Sequence, residues 1–178
     1  MELRSSREGV SQISSRLPVS KNKRLILLSP ILLLLLIILL IAIIAPFLEY
    51  LRLPISQSFY QALRPICHQW PTRCVWIFGS NTALCSRCLG FYFSLFLTGV
   101  FASVKGNSRL NWKLSLILFI PFVIDGYTQF MGWRTSNNNL RFITGFMAGI
   151  GIGLFIYPLY FKFLDKMAIF LKRGNKSS

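Results

Sequence analysis

Acid is what this sequence has least of: five Asp and Glu stand against 20 Lys and Arg in 178 residues, with a single His. Charged residues make up only 14% of the chain, while 53% is hydrophobic. A chain so poor in charge cannot clothe the surface of an ordinary soluble domain, so its solvent must be partly lipid. Familiar catalytic signatures are missing as well. There is no glycine-rich phosphate loop ending in Lys, no Gly-x-Ser-x-Gly elbow, no His-Glu-x-x-His and no carboxylate pair close in sequence. With one imidazole and one acid inside an apolar run, the candidates for proton transfer reduce to His68 and Asp125. The net charge of +15 would suggest nucleic acid as the partner of a soluble protein. Here the cations sit in tails and loops that flank apolar runs, without interleaved aromatics. Nucleic acid is therefore set aside, and the expected partner is a bilayer with anionic head groups.

Four apolar runs define the expected fold class: all-α, a polytopic bundle of about four transmembrane helices. Residues 25–48 are an almost unbroken Leu/Ile run, long enough to cross a hydrocarbon core of roughly 30 Å. Residues 1–24 form a basic tail, expected to be disordered. A secretory signal is disfavoured because the run exceeds an h-region and no small-x-small cleavage site follows. The second span is 88–104, short and aromatic; the third is 112–132, with Pro121 and Asp125; the fourth is 141–164. In the fourth, Gly145, Gly149 and Gly153 recur every four residues, a stripe that lets a neighbouring helix approach closely. The loops are 49–87, 105–111 and 133–140, and 165–178 is a basic C-terminal tail. Pro54 followed by Ile55, Phe59, Leu63 and Ile66 at helical spacing predicts a short amphipathic helix at the interface. A three-span alternative, in which the first or second run does not cross, would put the tails on opposite sides.

With four spans, the tails share a side. The N-terminal tail, the loop near 105–113 and the C-terminal end carry 14 Lys and Arg, against six near the other two loops. The positive-inside rule then makes both termini cytoplasmic in a prokaryotic plasma or thylakoid-type membrane, with the 49–87 loop outside.

That loop holds Cys67-His68-Gln69, Arg73-Cys74 and Cys85-Ser86-Arg87-Cys88: every cysteine and the lone histidine within 22 residues. Three accounts compete. Four cysteines in an oxidising compartment can pair as structural disulfides. Alternatively, the two-residue gap of Cys85 and Cys88 suits two thiolates on one tetrahedral Zn²⁺, with Cys67 and His68 as further ligands. Thirdly, a C-x-x-C at a helix N-terminus beside Arg87 has a stabilised thiolate, as thiol–disulfide exchange requires. That arrangement is similar to the four-helix quinone-linked disulfide-forming enzymes of bacterial envelopes, although their second cysteine pair lies in a later loop.

A second polar cluster lies in the third and fourth spans. Asp125 and Gln129 share a helix face, and an acid inside an apolar span is costly enough to need a partner or a task; Arg134 and Arg141 are the nearest candidates. Pro121 frees the carbonyl of Ile117 and predicts a bend just before the acid. On the four-span topology this cluster ends at the same face as the cysteines. One outward pocket is therefore expected, in which Gln69, Arg87, Asp125, Gln129, Arg134, Asn139, Arg141 and Thr144 bind a polar or anionic ligand; arginine forks suit phosphate or carboxylate. The bland alternative is an Asp–Arg pair with Asn caps closing a tight turn.

These residues resemble a family of prokaryotic membrane proteins, domain of unknown function 2085. The shared elements stand here as Cys67-His68-Gln69, Arg73, Phe78-Gly79, Cys85 to Gly90, Asp125 to Gln129 and Asn138 to Gly145. The resemblance implies an integral membrane protein and no particular reaction. The family often has His after Phe-Gly, where this chain has Ser80, and Cys74 is an addition. With three cysteines in the shared pattern, the resemblance favours metal ligation over complete disulfide pairing. A motif-sized likeness to VanZ-type membrane proteins, with an acid and Gln before Arg, Asn and a Gly-rich helix, implies a lipid- or isoprenoid-phosphate ligand.

Overall fold

The computed structural model describes residues 21–105, 111–133 and 135–174. The tail expected over 1–24 lies outside them except for its last four residues, as do 106–110 of the expected 105–111 loop, Arg134, and residues 175–178. Five α-helices are described: α1 (Lys21–Tyr50), α2 (Ile55–Leu63), α3 (Ser86–Lys105), α4 (Trp112–Phe130) and α5 (Asn138–Gly174). Four of them, all but α2, are long and apolar enough to cross a membrane.

The element bounds depart from the expected ones in two instructive ways. α5 continues to Gly174, ten residues past the expected end of the fourth span. At 1.5 Å per residue its 37 residues extend for about 55 Å, well beyond a hydrocarbon core of roughly 30 Å. The segment read as a C-terminal tail from 165 is thus helical through Gly174. The second departure is a β-hairpin inside the loop expected over 49–87: β1 (Cys74–Ile77) pairs antiparallel with β2 (Ser80–Cys85), preceded by a 3₁₀ turn at Pro71–Arg73. Phe78 and Gly79 turn the chain with φ of 55° and 80°. Two successive left-handed residues are what a two-residue hairpin of matching twist requires. Gly79 takes this conformation freely. Phe78 does not, and its ring is held against Phe47 and Tyr50 at the end of α1, with centroids 5.5 and 5.9 Å away.

α5 is the axis of the bundle, with α3 and α4 packed along it and α1 on α3. The glycine stripe explains the α3–α5 contact. A methyl group at Gly145 would overlap the carbonyl of Arg87, one at Gly149 the carbonyl of Phe91, and one at Gly153 the side chain of Thr98. From the other side, Gly90 of α3 faces the carbonyl of Phe142. Backbones meet here without intervening side chains, the usual route to tight association where lipid supplies no hydrophobic drive. Large apolar side chains elsewhere point outward, among them Leu33, Leu34, Leu116, Ile117 and Phe130, as a lipid-facing surface demands.

Two buried clusters mark the ends of the bundle. Leu28, Ala102, Tyr157 and Phe161 join α1, α3 and α5 at the end where α1 begins. At the other end Ala42, Ala45, Leu63, Cys67, Ala83 and Leu84 seat the hairpin and α2 on α1. α2 begins directly after Pro54 and buries Ser56 and Leu63, but it ends at Leu63, so Ile66 of the expected face lies beyond it and Ile55 is exposed.

Candidate metal centre and polar network

The hairpin fixes three of the four cysteines. Cys85 closes β2 and α3 starts at the next residue, so Cys88 falls in the first turn of that helix; Cys67 arrives from the turn after α2. The sulfurs of Cys67, Cys85 and Cys88 all lie within 4.8 Å of one another. Thiolates on one tetrahedral Zn²⁺, each with a bond near 2.3 Å, would stand about 3.8 Å apart, so the trio needs only a small contraction to fit. Its local hydrogen bonding suits a charged sulfur. The backbone N–H of Cys85 donates to Cys67 Sγ at 3.2 Å. Gln69 adopts φ of 54°, unusual for a residue with a side chain, and its N–H also reaches the Cys67 sulfur. The thiols of Cys85 and then Cys88 donate to the same atom, and together these donors hold Cys67 far below the ordinary thiol range, at about 2. Cys85, as a donor to that thiolate, is pushed up.

Cys74 is not in the trio. It lies opposite Cys85 in the hairpin register, fully buried, and burial pushes its thiol up to about 12. All four cysteines carry free thiols. His68, expected as the fourth ligand, is absent from the trio: directly after Cys67, the turn sends its exposed ring into a polar recess lined also by Glu49, Tyr60, Arg64 and Gln69.

The second cluster is built around Asp125, buried on α4. Arg87 of α3 is a partner that sequence proximity does not suggest: its Nη2 donates to Oδ2, whereas Arg141, one of the two expected partners, reaches the acid through Gln129. Gly145 lets α3 and α5 touch at the Arg87 backbone, and one residue on a helix turns the chain by about 100°, so Arg87 leaves α3 in a different direction from Cys88. Gln129 Nε2 donates to the same Oδ2 at 2.8 Å, one turn along α4, and Thr144 Oγ1 lies 3.5 Å from it. Arg141 joins one step out: its Nε donates to Gln129 Oε1 at 3.1 Å and its Nη1 to Asn138 Oδ1 at 3.3 Å. The hairpin is stitched to this network, since Asn138 Nδ2 donates to the Cys74 carbonyl at 2.9 Å and Arg141 Nη1 to the Thr72 carbonyl at 3.5 Å. The two clusters therefore meet at one end of the bundle, with Arg87 between them.

Of the expected ligand-binding residues, Arg87, Asp125, Gln129, Arg141 and Thr144 come together. Gln69 does not; its amide donates to the Tyr60 carbonyl at 2.7 Å, on the His68 side of the hairpin. Asn139 points outward, and Asn138 occupies the place foreseen for it. The reason is register: Asn137 Oδ1 caps α5 by accepting from Leu140 N–H at 2.8 Å, so Asn138 faces inward in the first turn. Arg134 lies outside the described residues. Beside the network a recess of about 390 Å³ is lined by Asp125, Thr128 and Thr144 on a polar side and by Pro121, Ile124, Trp133 and Leu140 on an apolar one.

Residues 67–155, which span both clusters, match the family model described as "Predicted membrane protein (DUF2085)". The chain belongs to that family. An uncharacterized protein of the archaeon Methanocaldococcus jannaschii is similar, at 37% identity over 133 residues that cover 69% of this chain and 85% of the relative. An uncharacterized protein of Methanothermobacter thermautotrophicus is 46% identical over 94 residues, 51% of this chain and 84% of its own. No solved structure matches. In DUF2085 terms, the matched segment starts at the first thiol of the trio and contains the whole Asp125 network, leaving α1 and α2 outside it.

Proposed function

We propose that this membrane protein holds one Zn²⁺ on Cys67, Cys85 and Cys88, and that the metal fixes the start of α3 so that Arg87 and the Asp125 network form an outward-facing site for an anionic group. The observation that carries this reading is the convergence of three sulfurs within 4.8 Å, one of them accepting the backbone N–H of Cys85. A three-thiolate set leaves the fourth tetrahedral position for water or a ligand. Anion recognition is supported by charge. Arg87 pairs with the carboxylate of Asp125 and Arg141 stands one hydrogen bond further out on Gln129, giving two guanidinium groups to one acid in this network. Arg87 Nε is buried without a hydrogen-bond partner among the described residues, a donor left for a ligand. The half-apolar recess at Trp133 and Leu140 suits the head group of a lipid- or isoprenoid-phosphate more than a free ion. The charge bias puts both termini in the cytoplasm and this end outside.

Metal analysis of protein purified under reducing, chelator-free conditions tests the first half. About one zinc per chain is expected, lost in Cys67→Ser; no stoichiometric metal would overturn it. Native mass spectrometry tests the second, with retention of phosphatidate over phosphatidylcholine expected and weakened in Arg141→Gln.

A second reading, thiol–disulfide exchange in the envelope, is favoured by the placement of Cys88 in the first turn of α3 beside Arg87. It needs Cys74 as the partner of Cys67. Full function in Cys74→Ser with loss in Cys67→Ser would exclude that two-pair mechanism. A third reading, a structural subunit with a disulfide-bonded loop, is tested by Asp125→Asn: a stable but inactive variant would count against it.

A further inference from the structure

The residues the metal reading does not use gather on the other side of the hairpin. Between the end of α1, α2 and β2 lies a recess of about 350 Å³, separate from the Asp125 network and lined by polar side chains throughout. It holds Glu49, Tyr60, Arg64, His68, Gln69 and Asn81. Glu49 is half-buried, whereas Arg64 and His68 are exposed. The walls are braced from below. Tyr60 Oη donates to the Asn81 carbonyl, and Gln69 Nε2 to the Tyr60 carbonyl, tying α2 to the hairpin and to the Cys-His-Gln turn. That bond uses the amide nitrogen of Gln69 and leaves its Oε1 as an acceptor. His68 makes no hydrogen bond or ion pair among the described residues.

The lining decides the chemistry of the occupant. A volume of this size is at the small end of ligand pockets, which run from roughly 300 to 1,000 Å³. With little apolar wall, an acyl chain or aromatic ring gains nothing by entering. A simple anion is better served by the arginines near Asp125, and a simple cation on Glu49 would share the recess with the guanidinium of Arg64. What fits is a ligand carrying both signs: an ammonium group on the Glu49 carboxylate and Gln69 Oε1, and a phosphate or carboxylate on Arg64 with an N–H of His68.

We infer that this recess is a second binding site, selective for small zwitterions that pair an ammonium with a phosphate or carboxylate, either free or as the head group of a lipid. It does not depend on the zinc reading or on the Asp125 ligand.

The lone histidine makes the test direct, since His68 gives a single imidazole resonance. Full-length protein in detergent micelles, at fixed pH and with its metal content measured, is titrated with glycine, glycerophosphoethanolamine, ethanolamine and inorganic phosphate. A saturable shift of the His68 signal with glycine or glycerophosphoethanolamine, at least tenfold tighter than with either single-charge control, is expected. Glu49→Gln and Arg64→Gln should each weaken it about tenfold while leaving the metal content unchanged. Repeating the measurement in nanodiscs separates the sources: a shift in phosphatidylethanolamine discs absent from phosphatidylglycerol discs identifies the lipid head group, and binding of the soluble zwitterions alone identifies a free ligand. Phosphate or ethanolamine binding as tightly as the zwitterions, affinity unchanged in both variants, or no saturable shift in any arm would overturn the proposal.

Discussion

Where α1 begins, the helices meet through Leu28, Ala102, Tyr157 and Phe161, and two tyrosine hydroxyls donate to helix carbonyls, Tyr157 to Leu95 at 2.9 Å and Tyr160 to Leu27 at 3.0 Å. At the hairpin end the same three helices and α4 enclose a carboxylate, two guanidinium groups, an amide pair and three thiols. Both ends are packed, and apolar contacts close the other one, so the polar set at the hairpin end is more than closure of the bundle requires. Placing Asp125 in a membrane segment is expensive, and the protein meets that cost with a paired arginine and two further donors. The difference between the ends separates residues that hold the helices together from residues kept for chemistry.

The contrast can be broken most violently in the stripe both ends share. Gly145→Leu should abolish the folded bundle, since the new side chain overlaps the Arg87 backbone; detergent size-exclusion would show aggregate. Next comes Asp125→Ala, which strands Arg87 and should cost about 3 to 5 kcal/mol in a denaturant titration, the usual penalty for breaking a buried pair. Tyr157→Phe, at the other end, removes one hydroxyl bond and should cost about 0.5 to 1.5 kcal/mol. Asn138→Ala should fall in the same range, through loss of the bond to Cys74, whereas Asn139→Ala should leave stability unchanged.

A pH dependence is expected as well, confined to alkaline solution. Burial raises the Cys74 thiol from its ordinary value to about 12, so the folded state disfavours its ionised form. The stability it contributes is complete below the unfolded value of about 8.5 and is lost as pH rises through about 12. Wild type should therefore weaken relative to Cys74→Ala across that alkaline window, seen as a falling difference in melting temperature.

Much of this architecture can be read directly from the chain. Length and hydropathy define four spans because a bilayer imposes one length on every crossing helix. The Gly145, Gly149 and Gly153 stripe announces close approach because no other residue type permits it. The convergence of the cysteine loop with Asp125 follows from topology. What periodicity does not carry is direction within a turn. Cys67 and His68 are adjacent, and which of them faces the trio depends on the left-handed backbone at Gln69. The same holds for Asn138 and Asn139, separated by the cap at Asn137. Arg87 could not be assigned to Asp125 by proximity in sequence, since 38 residues separate them. The hairpin is signalled only by Phe78-Gly79, a short cue inside an apolar loop.

Zinc-edge X-ray absorption on the purified protein reads the cysteine trio itself. A four-coordinate metal with three sulfur neighbours near 2.3 Å is expected, reduced to two by Cys85→Ser while Cys74→Ser leaves the spectrum unchanged. A first shell without sulfur, or a spectrum that responds to Cys74 and not to Cys85, would contradict it.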